Sequence, residues 1–170
     1  MKTLFAAAAA TAISLVASPA FAQAYGTLGY TNVDAGDAKF DSVTGRLGWQ
    51  FANPFAVEAE ATVGVGDEQI GTPPVDAKLK YAAAAYGVAR VPVTPNINIL
   101  GRVGYGVQEI EASAGGVTAS GTEDSFNYGA GVEYYFDAQN GVRADYTRHD
   151  FRESGLGEAD AWSLAFTRKF

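Results

Sequence analysis

Counting back from Phe170, every second residue is Arg168, Phe166, Leu164 and Trp162. The residues between them are Lys169, Thr167, Ala165, Ser163 and Ala161, which are small or polar. This is the period of a β-strand, with one face apolar along its length and aromatic rings near both ends. In water such a face needs a second layer to cover it. In lipid it needs none, provided that the sheet closes on itself.

Seven earlier stretches behave the same way. They run from about Ala24 to Val33, Phe40 to Phe51, Ala56 to Gly66, Ala77 to Val91, Asn98 to Ile110, Ser125 to Phe136 and Val142 to Phe151. The sixth is the clearest: Phe126, Tyr128, Ala130, Val132, Tyr134 and Phe136 alternate with Ser125, Asn127, Gly129, Gly131, Glu133 and Tyr135. The fourth is ambiguous because of its alanine run, Ala82 to Ala85. Connections alternate in character. Ala52-Asn53-Pro54-Phe55, Val93-Thr94-Pro95-Asn96 and Asp137 to Gly141 are tight, turn-coded links. The stretches Asp34 to Lys39, Asp67 to Asp76, Ala112 to Asp124 and Arg152 to Asp160 are mostly longer and polar, and are expected to be loops. Short turns at one end and long loops at the other predict an all-β fold: an eight-stranded antiparallel up-and-down transmembrane β-barrel. The alternation then predicts two aromatic girdles. One holds Trp49, Phe51, Phe55, Tyr134, Phe136 and Phe170 at the short-turn rim. The other holds Phe40, Phe126, Tyr128, Phe151 and Trp162 at the long-loop rim.

The start of the chain reads as an export signal. Lys2 precedes an apolar run from Leu4 to Val16, and Ala20-Phe21-Ala22 is a small-x-small cleavage site. Residues 1–22 are therefore expected to be a signal peptide and 23–170 the barrel domain. The chain has no Cys, so disulfides and thiolate metal sites are excluded. The net charge is −7, the opposite of the basic footprint that nucleic acid requires.

With the apolar set facing lipid, Arg46, Glu58, Glu60, Arg102, Glu133, Arg143 and Asp145 face inward. Folding the hairpins about Gly115-Gly116-Val117, Gln139 and Thr94 predicts three cross-strand neighbours. These are Arg102 opposite Glu133, Glu133 opposite Asp145, and Tyr86 opposite Arg102. The seven charged residues are expected to form a structural ion network that fills a lumen only wide enough for side chains. No catalytic pair, cofactor site or metal site is read from them. The one histidine, His149, has no ligand spacing and is expected to be a solvated rim residue.

The signal peptide, the eight strands, Arg102-Val103-Gly104-Tyr105-Gly106, Arg143-Ala144-Asp145-Tyr146 and Phe170 together resemble the small outer-membrane β-barrels of Gram-negative bacteria. These are the OmpA membrane-domain, OmpX and opacity-protein class. The resemblance implies the cell outer membrane, with outer-membrane lipid, lipopolysaccharide and the barrel assembly machinery as partners. It implies an assembly signal at Phe166 and Phe170, although Arg168 stands where the family's closing strand usually carries an aromatic. It also implies an envelope-structural or surface-interaction role without enzymatic activity, with an unidentified surface ligand. Two alternatives share the scaffold. An OmpW-like conduit for small apolar molecules would want an apolar interior. A lipid A-modifying enzyme of the PagL type carries a His-x-Ser pair, whereas this chain has His149-Asp150-Phe151.

Overall fold

The computed structural model describes residues 24–36, 39–65, 68–70, 75–114, 117–151 and 157–170. The proposed cleavage site at Ala20 and Ala22 lies outside them. Among the described residues there are nine strands. They are β1 (Ala24–Asp34), β2 (Lys39–Ala52), β3 (Phe55–Gly64), β4 (Glu68–Ile70), β5 (Val75–Pro92), β6 (Ile97–Ala114), β7 (Val117–Tyr135), β8 (Asn140–Phe151) and β9 (Glu158–Lys169). They form one antiparallel sheet in the order β3-β2-β1-β9-β8-β7-β6-β5-β4. A further pairing of β3 with β5 closes eight of them into a barrel. Closure leaves no sheet edge along the spanning region, which lipid would not tolerate.

Alternation sets which way each side chain points. On β9, Ala161, Ser163, Ala165 and Thr167 are buried in the lumen, while Trp162, Leu164, Phe166 and Arg168 are exposed on the outside. The outer face is apolar elsewhere too, with Leu47, Val57, Val63, Val103 and Val132 each about half exposed or more.

Two of the expected loops contain strand among their described residues. β4 lies in the stretch between β3 and β5 and pairs with β5 from Glu68↔Ala77 to Ile70↔Val75. The Ala112 to Asp124 stretch continues the β6–β7 ladder as far as Ala114↔Val117. The result is lopsided. β5, β6 and β7 contain 18, 18 and 19 residues, against 11 in β1 and 10 in β3. At about 3.3 Å per residue, the surplus carries a sheet of β4 to β7 about 20 Å past the shorter strands on the long-loop side.

The extra length also shifts the predicted registers. The β6–β7 register ends at Ala114↔Val117, so Arg102 faces Gly129 and Glu133 faces Asn98, not each other. β8 begins at Asn140 because Asp137 Oδ1 accepts hydrogen bonds from the N–H groups of Gln139 and Asn140, closing the turn early. Glu133 therefore faces Arg143, and Asp145 faces Gly131. At the β5–β6 turn, Thr94 Oγ1 accepts from the N–H groups of Asn96 and Ile97. Tyr86 thus lies opposite Gly104, with Arg102 opposite Val88. All three shifts are an even number of residues, so the inward-facing set keeps its direction.

The aromatic girdles need one correction. Phe40 is 9% exposed and points into the lumen, where it packs with Leu79, Val33 and Ile110. On the long-loop side four outward tyrosines occur instead: Tyr30, Tyr81, Tyr105 and Tyr146. Three donate their hydroxyl to a carboxylate on the neighbouring strand. The pairs are Tyr30 with Asp41, Tyr105 with Asp124 at 3.0 Å, and Tyr146 with Asp160 at 2.6 Å. Each ring lies against the apolar band and each hydroxyl reaches a carboxylate, the amphipathic placement that an interface favours.

Candidate functional site

The lumen is built in layers. Nearest the short turns, the Tyr25 hydroxyl donates to Glu58 Oε1 at 2.7 Å. The Arg90 guanidinium stacks over the Tyr25 ring, 3.6 Å from its centroid. Arg90 Nη2 reaches Glu133 Oε1 at 2.5 Å, and Arg143 Nη1 reaches Glu58 Oε1 at 2.5 Å. Asn98 Nδ2 donates to Glu133 Oε2 at 3.4 Å.

A second layer above it repeats the unit. The Tyr86 hydroxyl donates to Glu60 Oε1 at 3.2 Å, and the Arg102 guanidinium stacks over the Tyr86 ring at 3.6 Å. Arg102 Nη2 and Arg46 Nε reach Glu60 Oε2 at 2.7 and 2.6 Å. Asp145 joins the layers, with Arg143 Nε at 2.8 Å and Arg46 Nη1 at 3.3 Å. Each tyrosine needs a glycine beside it. Tyr25 pairs across strands with Gly48, and Tyr86 with Gly104. A Cβ on Gly48 would sit 2.1 Å from the Tyr25 ring, and one on Gly104 would sit 2.2 Å from the Ala85 carbonyl oxygen and 2.6 Å from the Tyr86 ring.

All seven charged residues expected in the lumen lie in this arrangement, in other pairings than those predicted. Glu133 is neutralised by Arg90 and, at 3.7 Å, by Arg143, while Arg102 serves Glu60. Arg90 was missed. It lies in the strand made ambiguous by the alanine run, but its parity with Tyr86 and Val88 was readable as inward. With Arg90 included, four guanidinium groups meet four carboxylates. Their side chains are nearly inaccessible, between 0% and 11% exposed. Burial this deep is tolerable only with such pairing.

Above the second layer is a cavity of about 40 Å³, lined by Thr31, Thr44, Thr62, Asn127, Thr147 and His149 among others. It has room for a water molecule or two. Above it the cluster of Phe40, Leu79, Val33 and Ile110 narrows the mouth. His149 is not a solvated rim residue. It lines this cavity, half-buried, with Nδ1 2.9 Å from Asn127 Oδ1. Asn127 Nδ2 donates to the Tyr86 hydroxyl at 3.1 Å. That orientation of the amide assigns the Nδ1 proton to the imidazole as donor. Among the described residues no group of three or more His, Cys, Asp or Glu could hold a metal ion.

Residues 3–170 match the family described as outer membrane protein beta-barrel domain. The chain belongs to that family. As an outer-membrane barrel it is a protein of the Gram-negative outer membrane, in contact with its lipid. No curated protein matches its sequence. Solved outer-membrane barrels share its fold at low identity. Neisserial surface protein A has a TM-score of 0.68 at 15% identity, covering 86% of this chain and 96% of that one. Ail, the attachment invasion locus protein of Yersinia pestis, in complex with the heparin analogue sucrose octasulfate, gives 0.63 at 18% identity, covering 86% and 97%. The N-terminal β-barrel domain of Pseudomonas aeruginosa OprF gives 0.63 at 15%, also covering 86% and 97%.

In this outer-membrane barrel Phe166 faces outward at the short-turn girdle, its ring centroid 6.4 Å from that of Phe136. The Phe170 N–H donates to the Ala24 carbonyl at 3.0 Å, fastening the end of β9 to the start of β1.

Proposed function

We propose that the protein is a non-enzymatic, non-conducting outer-membrane barrel with an envelope-structural or surface-interaction role. The observation that carries this reading is the double layer of Arg–Tyr–Glu units across the lumen. It holds no path for a solute, and opening one would require breaking buried ion pairs. The projecting β4 to β7 sheet is the surface on which an adhesion-like contact would be made. Its ligand is unassigned.

The two alternatives have less support. A conduit for small apolar molecules is favoured by the apolar ring of Phe40, Leu79, Val33 and Ile110 at the mouth, but charged groups fill the lumen beneath it. A lipid A-modifying enzyme would need a nucleophile beside His149, and Phe151 stands at that position while His149 faces the lumen. On this reading, residues 1–22 are cleaved after Ala22, and Phe166 and Phe170 are read by the assembly machinery.

The test is electrical and cellular. Purified protein in planar bilayers should show negligible conductance. It should migrate differently on detergent gels before and after boiling, because a closed barrel resists detergent until heated. Cells lacking the gene should change in envelope permeability or surface attachment, with unaltered lipid A acylation. A stable, large open channel would replace this reading with the conduit, and altered lipid A with the enzyme.

A further inference from the structure

Two neighbouring cations on β9 part company. Lys169 turns into the lumen, its Nζ 3.6 Å from the centroid of the Tyr135 ring. Arg168 turns outward, in the row of Trp162, Leu164 and Phe166 that faces lipid. An arginine in such a row is costly unless its guanidinium finds an anion or water.

Its depth is fixed by its neighbours. Arg168 pairs across strands with Asn140, the first residue after the short turn, and with Gly26. Phe136 and Phe166 pack beside it in the girdle. The short turns lie on the periplasmic side, so this is the level of the inner-leaflet headgroups. Gly26, beside Arg168, is buried under the Phe170 ring and Leu47, which a Cβ there would meet at 3.6 and 3.7 Å.

The guanidinium of Arg168 acts on Asp137 only from a distance. Among the described residues Arg168 makes no ion pair within 4 Å. The nearby acid, Asp137, already has both oxygens engaged: Oδ1 by the Gln139 and Asn140 N–H groups, and Oδ2 by the Asn140 amide at 2.9 Å. We propose that Arg168 binds the phosphate diester of an inner-leaflet phospholipid. The planar guanidinium donates two parallel hydrogen bonds to phosphate oxygens, a geometry that an ammonium cannot reproduce.

The test compares wild type, Arg168→Gln, Arg168→Lys and Lys169→Gln by native mass spectrometry after titration with phosphatidylglycerol in dodecyl maltoside. Arg168→Gln should bind the first lipid about fivefold more weakly, the contribution of one interfacial arginine at a lipid surface. Arg168→Lys should recover only part of that affinity, and Lys169→Gln should match wild type. Millimolar inorganic phosphate should not displace the lipid. If it does, the site is one for free phosphate, and the proposal fails. Thermal unfolding gives a second measure. Arg168→Gln should lower the midpoint in phosphatidylglycerol vesicles and not in lipid-free maltoside. Equal lipid binding by wild type and Arg168→Gln, or an equal loss of stability in both media, would overturn the assignment.

Discussion

Arg143 and Glu58 form an ion pair of 2.5 Å with both side chains at 0% exposure. Arg143 also holds Asp145 at 2.8 Å and stands 3.7 Å from Glu133. Glu133 keeps Arg90 and Asp145 keeps Arg46 if Arg143 is removed, but among the described residues Glu58 has no other ion-pair partner. Arg102, by contrast, serves Glu60, which keeps Arg46 at 2.6 Å if Arg102 is removed.

Arg143→Ala should accordingly be the costlier truncation. Breaking a buried pair typically costs about 3–5 kcal/mol, and Arg102→Ala should cost visibly less. Glu58→Gln in the Arg143→Ala background should recover part of the loss, since it removes one orphaned charge. Urea unfolding in lipid vesicles measures all three variants. Equal costs for the two arginines would refute the described pairing.

Gly48→Ala should destabilise the barrel without touching any charge. Its new Cβ would collide with the Tyr25 ring, which must then leave Arg90 and Glu58. Overpacking of this kind costs about 1–3 kcal/mol. Tyr25→Ala in the same chain should relieve the clash, so that Gly48→Ala costs little there. Thermal unfolding of the four-member cycle reads the coupling, and additive costs would count against the contact.

Hydrogen bonds from the Asn140 side chain, and then from the Asn140 and Gln139 backbone, hold the Asp137 carboxyl below the usual carboxylate range. A carboxyl whose folded pKa is depressed stabilises the fold fully above its unfolded pKa, which is about 4. That contribution is lost as pH falls through the lower folded value. Hydrogen exchange at Gln139 and Asn140 should therefore quicken, relative to intrinsic rates, only in acid. Asp137→Ala should lack this protection at every pH. Turn protection that ignores both acid and the substitution would dissociate Asp137 from the turn.

Phe170→Ala should lower the membrane yield of folded protein more than Phe136→Ala. Both remove a girdle ring, but only Phe170 sits at the β9–β1 seam. Quantifying the heat-modifiable band in outer-membrane fractions distinguishes them, with comparable yields as the adverse outcome.

Much of this architecture is legible in period-two patterning, because lipid outside and a polar lumen inside punish any residue that faces the wrong way. That is why the inward direction of Arg46, Glu58, Glu60, Arg102, Glu133, Arg143 and Asp145 was readable residue by residue. Cross-strand partners were not, because register depends on where each turn closes. Asp137 and Thr94 moved two turns by side-chain hydrogen bonds that composition does not reveal. Phe40 and His149 were misplaced for a different reason. Phe40 keeps the parity of Ser42, Thr44 and Arg46, and His149 that of Arg143 and Asp145, so both directions were readable, but nearness to the long loops was given more weight than parity. The long β6–β7 ladder was hidden by its own residues, since the Ser, Thr and Gly of a solvated hairpin look like those of a loop.

The four arginines and four carboxylates across the lumen have a further physical consequence. Their charges sum to zero, so an electric field along the barrel axis exerts no net pull on the plug as a whole. Raising the voltage across a bilayer would only strain individual pairs in opposite directions. A barrel sealed this way should stay shut under polarisation of either sign, whereas a plug of one charge would be drawn out by one polarity and pressed home by the other.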